Sequence, residues 1–263
     1  MKRSSKWFIL LTGVTSGLLL AACAFGPLRV IVGSGKVVSQ EMDLSDFERV
    51  NVGSAFQVEI RHDDGYRVTI EVDENVLPHL RVVKEGNTLQ IGLERGVTLS
   101  GNVTLRGVVS LPALTGVEAS GASRVTLSGF RGTADLTLRA SGASQLTGEI
   151  DGDNADFVAS GASEIQLQST VKNASIEATG ASKITLSGGG QNLTITASGA
   201  SPVDLAKFPA QDAKIDASGA SNVTVQLTGT LDAKASGASH VYYLGSPTLG
   251  RVNTSGASSI NQR

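Results

Sequence analysis

Apolar and polar residues alternate with a period of two through the second half of the chain. The alternation is clear in Lys183-Ile184-Thr185-Leu186 and in Asn222-Val223-Thr224-Val225. Equivalent apolar positions recur as Val125, Leu146, Ile165, Ile184, Val203, Val223, Val241 and Ile260. A period of two is typical of a β-strand with one buried face. No apolar pattern with a period of 3.6 fits, so the sequence predicts an all-β fold.

A four-residue unit, Ser-Gly-Ala-Ser or Thr-Gly-Ala-Ser, precedes each of these strands. The eight copies begin at Ser120, Ser141, Ser160, Thr179, Ser198, Ser218, Ser236 and Ser255. Successive copies are separated by 21, 19, 19, 19, 20, 18 and 19 residues. A near-fixed period indicates a solenoid. The glycine suits a corner that needs a positive φ, and the hydroxyl groups can bond nearby backbone groups.

Each period therefore holds two short strands, this corner, and a second, looser corner. The looser corners are predicted at 129–133, 148–154, 188–191 and 207–211. One turn of chain supplies the long connection that parallel strands need, and stacking buries apolar residues that a single period would leave exposed. We expect a single-stranded parallel β-helix with about 19 residues per coil, right-handed by the crossover rule.

The β-helix domain is predicted to cover residues 41–263, with an irregular β-rich cap over 41–100 and regular coils over 101–263. Within the cap, Gly53-Ser54-Ala55 is interpreted as a degenerate first corner. A short helical turn is expected over 74–80 and a β-hairpin over 80–93. A cap is needed because the open end of a β-helix exposes its core and unpaired strand edges. No cap is predicted after Ile260, so that edge either tolerates exposure or meets a partner.

Residues 1–22 have the organisation of a bacterial lipoprotein signal peptide. A positive start (Lys2, Arg3 and Lys6) precedes an apolar run over 7–20 that is short for a membrane span. Leu20-Ala21-Ala22-Cys23 resembles the lipobox, and Cys23 is the only cysteine in the chain. We expect Cys23 to be lipidated and residues 23–40 to form a tether. The alternatives are an ordinary secretory signal with a chance cysteine, or an uncleaved anchor.

Charge and lipidation together indicate the location and the partners. Removing the signal peptide changes the formal charge from −2 to −5, because it carries three basic residues and no acid. This mild acidity argues against a nucleic-acid partner. Several acyl chains on one cysteine would anchor the protein firmly in a membrane. We expect a bacterial cell-envelope location, with Ala24 favouring the outer membrane if the source is Gram-negative.

Three phrases near the start of the domain resemble the GIN domain family. They are Leu44-Ser45-Asp46-Phe47-Glu48-Arg49-Val50, Gly53-Ser54-Ala55-Phe56-Gln57-Val58 and Glu71-Val72-Asp73-Glu74-Asn75-Val76-Leu77. The family, also called the "putative auto-transporter adhesin head domain", carries similar Gly-Ser-rich coils in its later part. The resemblance runs from about Leu44 to the C-terminus. It implies a right-handed β-helix on bacterial envelope proteins, surface binding, and no established catalytic residues.

An enzyme must still be considered, because β-helices also carry carbohydrate-active sites. The expected outward column contains a single acid and consists of Thr126, Thr147, Gln166, Thr185, Asp204, Thr224 and Tyr242. Acid–base catalysis needs two groups with opposed pKa shifts, and no such pair is evident. His62, His79 and His240 are scattered, and the 151–156 stretch lacks calcium-ligand spacing, so it is expected to be a polar corner. We expect no catalytic, cofactor or metal site.

Three residues near the C-terminus give the best local indication of a contact patch: His240, Tyr242 and Tyr243. One tyrosine falls on the inward parity and is expected to pack in the core. The leading hypothesis is a non-catalytic, lipid-anchored envelope protein whose β-helix binds a glycan or an envelope protein, as an adhesin does. The alternatives are a carbohydrate-active enzyme on the same scaffold and a structural subunit that stacks end to end through its C-terminal edge.

Overall fold

The computed structural model describes residues 29–263 as an all-β solenoid, so the predicted signal peptide and Cys23 lie outside the described residues. The first nine strands are β1 (Arg29–Val32), β2 (Val37–Met42), β3 (Arg49–Val52), β4 (Gln57–His62), β5 (Arg67–Asp73), β6 (Leu80–Glu85), β7 (Thr88–Leu93), β8 (Val97–Ser100) and β9 (Leu105–Leu111). A three-residue 3-10 turn, Leu77–His79, lies where a helical turn was predicted.

The remaining strands alternate regularly between two sheets. They are β10 (Gly116–Ala119), β11 (Arg124–Phe130), β12 (Leu136–Ala140), β13 (Gln145–Ile150), β14 (Asn154–Ala159), β15 (Glu164–Thr170), β16 (Asn173–Ala178), β17 (Lys183–Gly189), β18 (Asn192–Ala197), β19 (Pro202–Ala210), β20 (Asp212–Ala217), β21 (Asn222–Leu227), β22 (Thr230–Ala235), β23 (His240–Gly245), β24 (Thr248–Thr254) and β25 (Ser259–Gln262).

Two sheets enclose the core. The front sheet has 12 strands in the order β2-β5-β9-β4-β11-β13-β15-β17-β19-β21-β23-β25. The back sheet has 11 strands in the order β24-β22-β20-β18-β16-β14-β12-β10-β3-β7-β6. In the regular coils each strand pairs in parallel with the strand one coil away, so that Glu164 lies opposite Lys183 and Ile165 opposite Ile184. The parallel β-helix with about 19 residues per coil is confirmed; its handedness stays a prediction.

Inward-facing side chains form one continuous apolar core between the sheets. The predicted front column, from Val125 to Val241, is at most 1% exposed, and Ile260 in the last coil is partly exposed. The back sheet contributes Leu138, Phe157, Ile176, Ile195 and Ile215, all at most 2% exposed. Burying one such side chain stabilises the fold by roughly 1.5–3 kcal/mol. Stacking the coils therefore supplies the apolar burial that a single coil lacks.

At each Gly-Ala corner the backbone of one coil contacts the backbone of the previous coil. Gly161 has a φ of +72°, and a Cβ built on it would lie 2.8 Å from the carbonyl oxygen of Gly142. The N–H of Ala162 donates a hydrogen bond of 2.7 Å to that same oxygen. Corners one coil apart are therefore joined by backbone hydrogen bonds, with no room for a side chain at the glycine. The predicted positive φ is confirmed.

The last serine of each complete corner points inward, and from Ser123 to Ser239 these serines are at most 2% exposed. Ser163 Oγ lies 2.9 Å from the carbonyl oxygen of Ala140 in the previous coil. It also accepts a hydrogen bond of 3.1 Å from the N–H of Ser160. A buried hydroxyl with partners on both sides satisfies polar groups inside an otherwise apolar corner. The structural role expected for these serines agrees with this geometry.

The second corners are shorter than predicted. The strands β11, β13, β17 and β19 continue to Phe130, Ile150, Gly189 and Ala210, into the stretches expected to be loops. An asparagine ladder follows these corners. Asn173 Nδ2 donates to Asn154 Oδ1 at 2.7 Å, and Asn192 Nδ2 donates to Asn173 Oδ1 at 2.8 Å. Side-chain amides thus join successive coils at the start of the back-sheet strands.

The N-terminal coils do not stack in chain order. The strands β3 and β4, joined by the predicted first corner, pair with β10 and β11 on one side. On the other side they pair with β7 and β9, which come later in the chain than β3 and β4. Residues 112–115 then connect β9 to β10, past the β3–β4 coil. The predicted hairpin is confirmed as β6 and β7, which are antiparallel.

A small two-stranded sheet, β1 with β8, lies at the N-terminal end, where Ile31, Val97 and Leu99 pack against the core. The buried carboxylate of Asp73 ties this region together. It accepts hydrogen bonds from the N–H groups of Gly35 (2.9 Å) and Thr104 (3.0 Å). These backbone donors favour the charged form and lower the pKa of Asp73 below its ordinary value of 3.8.

Candidate functional site

The outer face of the front sheet is a continuous polar surface. The strand register aligns the predicted outward column in one row: Thr126, Thr147, Gln166, Thr185, Asp204, Thr224 and Tyr242. A second row one column away contains Arg124, Gln145, Glu164, Lys183, Pro202, Asn222 and His240. Neighbouring strands of a sheet are about 4.8 Å apart, so side chains within a row are near neighbours.

Charges in the second row compensate one another. Lys183 Nζ lies 3.0 Å from Glu164 Oε1. Gln145 Nε2 donates a hydrogen bond of 3.2 Å to Glu164 Oε2. Both charged side chains are partly exposed, so the ion pair adds little to stability. This part of the face consequently has no strong field of one sign.

A groove of about 490 Å³ opens in the middle of the front face. Its polar lining includes Gln166, Gln168, Thr185, Ser187, Asp204 and Lys207. These side chains offer hydroxyl groups, amides, one carboxylate and one ammonium group, and no aromatic residue from 29–263 lines the groove. The lining comes from four adjacent strands, β13, β15, β17 and β19.

A β-bulge in β19 shapes the groove. Thr185 lies opposite Asp204, but Ser187 lies opposite Lys207, so β19 holds one extra residue between these two pairs. Strict alternation after Asp204 would place Lys207 on the inward parity. The extra residue, Ala206, shifts the parity so that Lys207 is exposed and Phe208 is fully buried. Sequence reasoning missed this bulge because the 207–211 stretch was predicted to be a corner.

The two charged groups of the groove have few protein partners. Asp204 Oδ1 accepts a hydrogen bond of 3.0 Å from the N–H of Ala206, which orients the carboxylate at the bulge. Within residues 29–263, neither Asp204 nor Lys207 belongs to an ion pair. A carboxylate and an ammonium group therefore remain available to a bound molecule.

A second cavity, of about 380 Å³, lies on the same face near the N-terminal end. Glu59 and Glu71 line it together with Arg106 and Arg124. These groups come from the four strands β4, β5, β9 and β11. Sequence reasoning did not predict this cavity, because it forms where the later strand β9 pairs with both β4 and β5.

The structure divides the predicted contact patch. His240 and Tyr242 lie on the outer face with ring centroids 6.3 Å apart, and His240 Nδ1 shares a hydrogen bond of 2.8 Å with Ser259 Oγ. Tyr243 aligns with the buried Val225 and packs against the core, as the parity argument expected for one tyrosine. Sequence reasoning missed Arg263, whose guanidinium carbon lies 3.8 Å from the centre of the Tyr242 ring. Binding at this patch stays a prediction.

The 151–156 stretch forms a polar corner that is bonded to protein groups. The carboxylate of Asp151 accepts hydrogen bonds of 2.8 Å from Arg131 Nη1 and from the N–H of Thr170, and Asp153 Oδ2 lies 2.9 Å from Lys172 Nζ. Among the residues that the structure describes, no group of three or more His, Cys, Asp or Glu side chains is placed to hold a metal ion.

Within residues 29–263, no helix is long and apolar enough to cross a membrane.

Three crystal structures of bacterial proteins share this architecture. A "putative lipid binding protein" from Parabacteroides distasonis has 20% identity and a TM-score of 0.82, covering 89% of this chain and 100% of its own. Putative adhesins from Parabacteroides merdae and P. distasonis each have 16% identity, with TM-scores of 0.78 and 0.75. They cover 89% of this chain and 99% and 100% of their own. At these identities the likeness shows the fold alone.

Comparison of sequences identifies the family as well as the fold. The search of curated proteins finds no match. The profile of the family described as "Putative auto-transporter adhesin, head GIN domain" matches residues 46–247, which is well over half of the chain. This range includes the predicted first corner, the strands β3 to β23 and seven of the eight Gly-Ala corners. The chain belongs to the GIN domain family of adhesin-like β-solenoids.

Proposed function

We propose that this protein is a non-catalytic, lipid-anchored protein of the bacterial cell envelope that binds a surface ligand through the outer face of its front sheet. The observation that carries the proposal is the uninterrupted alignment of outward polar side chains across the regular coils. Ligand binding by a rigid sheet face needs no moving part, because the backbone register holds the contacting groups in place. The adhesin-like character of the family supports an envelope location.

The proposed anchor is the acylated Cys23. Only five residues separate Cys23 from β1, which lies at the N-terminal end of the solenoid. An extended chain spans at most about 3.6 Å per residue, so these residues would keep that end within roughly 20 Å of the membrane surface. The coils would then extend away from the membrane, and the front face would remain accessible along its length.

The anchor is tested by fractionation. In cells that make the wild-type protein we expect it in the membrane pellet, and in cells that make Cys23→Ser we expect it in the soluble fraction. The same distribution for both proteins would refute lipid anchoring.

The binding face is tested by blocking it with a bulky charge. Thr126→Arg places an arginine on the front face, and Thr194→Arg places one at an equally outward position on the back face. Bacterial cells carrying the lipidated wild-type protein should attach to mucin-coated surfaces more than cells lacking it. We expect Thr126→Arg to reduce this attachment and Thr194→Arg to leave it unchanged. Equal attachment by both variants would argue against the front face.

Self-association through the C-terminal edge is a second candidate. β24 is the outermost strand of the back sheet within the described residues, and Leu249 and Val252 on it are 49% and 38% exposed. An exposed strand edge with apolar side chains can pair with the same edge of a second molecule. We expect the sedimentation coefficient of soluble Cys23→Ser protein to rise with concentration, and Leu249→Lys to abolish the rise. A concentration-independent monomer would exclude this candidate.

A further inference from the structure

We propose that the groove of the front face, at the bulge of β19, is a subsite for a neutral carbohydrate. The inference rests on the proposed function, because it names the ligand class of the same face. Asp204, Lys207 and Gln168 would make the principal contacts, and Thr185 would add a hydroxyl group from the centre of the groove.

The chemistry of the lining matches the hydroxyl groups of a sugar. Each sugar hydroxyl can both donate and accept a hydrogen bond. Gln166 and Gln168 present donors and acceptors, the carboxylate of Asp204 accepts, and the ammonium group of Lys207 donates. Hydrogen bonds to ionised groups are about twice as strong as those between neutral groups. The single negative and single positive charge cancel, so the groove favours neither an anionic nor a cationic ligand.

The bulge orients Asp204 and places Lys207 on the groove face before a ligand binds. The N–H of Ala206 fixes Asp204 Oδ1, and Asp204 Oδ2 makes no hydrogen bond within the described part of the chain. The bulge also carries Lys207 onto the same face. Groups that are already oriented lose less conformational entropy on binding. A bulge next to a polar groove is a usual means of redirecting a side chain toward a binding site.

An unpaired hydroxyl group gives independent support. Thr185 Oγ1 is buried and has no hydrogen-bond partner among residues 29–263. In the same row, Thr126 and Thr147 share a hydrogen bond of 3.3 Å, so Thr185 differs from these two threonines. A buried polar atom without a partner is costly and calls for an explanation. On binding, a change of the χ1 rotamer would turn this hydroxyl toward the groove, where a sugar hydroxyl would be its partner.

The dimensions of the groove are suitable for one or two sugar rings. Small-molecule sites usually have volumes of about 300–1,000 Å³, and the groove has about 490 Å³. Its polar side chains recur at the strand spacing of about 4.8 Å, which is comparable to the length of a pyranose ring. Among the described residues no aromatic side chain provides a stacking platform in the groove, so a single site should bind weakly. Many copies on a cell surface would raise the overall strength by avidity.

The test uses soluble full-length protein with Cys23→Ser. An array of neutral oligosaccharides, including cellotetraose, chitotetraose and mannotetraose, identifies the probe, and isothermal titration measures its affinity. We expect binding to at least one neutral glycan and a loss of about tenfold or more in Asp204→Asn and in Lys207→Ala. Asp204→Asn keeps an oxygen for the Ala206 N–H, so the bulge should persist. Asp156→Ala, an outward acid on the back sheet, should bind as the parent does.

Thr185→Val provides a readout that a purely structural role would not produce. Valine has the same shape as threonine without the unpaired hydroxyl, so the variant should have an unchanged or higher melting temperature and a lower glycan affinity. If no neutral glycan binds, or if affinity is unaffected by the changes at Asp204 and Lys207, the carbohydrate subsite is wrong. Attachment of cells that still depends on the front face would then leave the proposed adhesive function intact. Loss of that dependence would refute the function itself.

Discussion

Replacing Gly161 by alanine tests the contact between corners one coil apart. Gly161 combines a left-handed backbone conformation with close approach to the neighbouring coil. The added methyl group would lie 2.8 Å from the carbonyl oxygen of Gly142 and 3.2 Å from its nitrogen. Both atoms are backbone, and the Ala162 N–H is hydrogen-bonded to that oxygen. The methyl group cannot be accommodated by the rotation of a flexible side chain.

The expected cost has two parts. A left-handed conformation costs alanine about 1–2 kcal/mol. Moving the neighbouring backbone to relieve the contact resembles overpacking, which costs about 1–3 kcal/mol. Alanine also restricts the unfolded chain, which returns about 0.4–1 kcal/mol. We therefore expect Gly161→Ala to lower the free energy of unfolding by roughly 1–5 kcal/mol.

Substitutions at two other glycines distinguish the conformational cost from the cost of the close contact. Gly35 has a φ of +72°, but no atom of residues 29–263 lies within 4 Å of a Cβ built on it, so Gly35→Ala should show the conformational cost alone. Gly132 has neither feature, so Gly132→Ala should be neutral or slightly stabilising. Urea unfolding followed by far-UV circular dichroism gives the free energies. If Gly161→Ala costs no more than Gly35→Ala, the close backbone contact between coils is incorrect.

Three further predictions concern the buried serines, the repeat and the N-terminal carboxylate. Ser163→Ala should lower the free energy of unfolding by about 0.5–1.5 kcal/mol, because it removes the hydroxyl hydrogen bonds to the carbonyl oxygens of Ala140 and Ser160, while the Ser160 N–H keeps its bond to Ala140. Ser169→Ala should be neutral or stabilising, since Ser169 Oγ has no hydrogen-bond partner in the described chain. Equal losses of unfolding free energy for the two serine variants in urea would contradict this contrast. Deleting residues 160–178, one whole coil, should leave a folded protein by circular dichroism, whereas deleting half of that segment should not; equal damage would argue against independent coils. The pKa of Asp73 is lowered on folding, so its stabilising contribution is present above its unfolded pKa and is lost as pH falls from about 3.8 through the folded value. The free energy of unfolding should therefore fall less steeply with decreasing pH in Asp73→Asn than in the wild-type protein. Parallel curves for the two proteins would refute this role of Asp73.

Much of the fold could be predicted because a repeated period of two determines which side chains are buried. Ile184 and Val223 are buried, and Lys183 and Asn222 are exposed, as the alternation requires. The corner glycines were equally predictable, since a recurring glycine between two strands indicates a turn that needs a positive φ. These features depend on the local sequence and on the stacking of each coil on the next. They do not depend on which distant side chains meet.

The candidate site was only partly predictable. Asp204 was placed on the outer face correctly, but the 207–211 stretch was expected to be a corner. A single extra residue at Ala206 reverses the parity of everything after it in β19, and one sequence has no signal that locates a bulge. The contact of Arg263 with Tyr242 depends on β25 stacking on β23, and the cavity lined by Glu59 and Glu71 depends on β9 pairing with both β4 and β5.

By itself, the sequence determined an all-β chain with eight Gly-Ala corners, one buried column and a lipobox-like start. The fold, the corners and the buried column follow from local backbone preference and from the requirement to bury apolar residues, whereas the start is recognised by its resemblance to a processing motif. Only the tertiary structure decided that β7 and β9 lie on the far side of the β3–β4 coil. It alone brought the groove residues together from four strands. The physical reason is that strand order and bulge position depend on contacts between coils, whereas burial depends on the alternation within each strand.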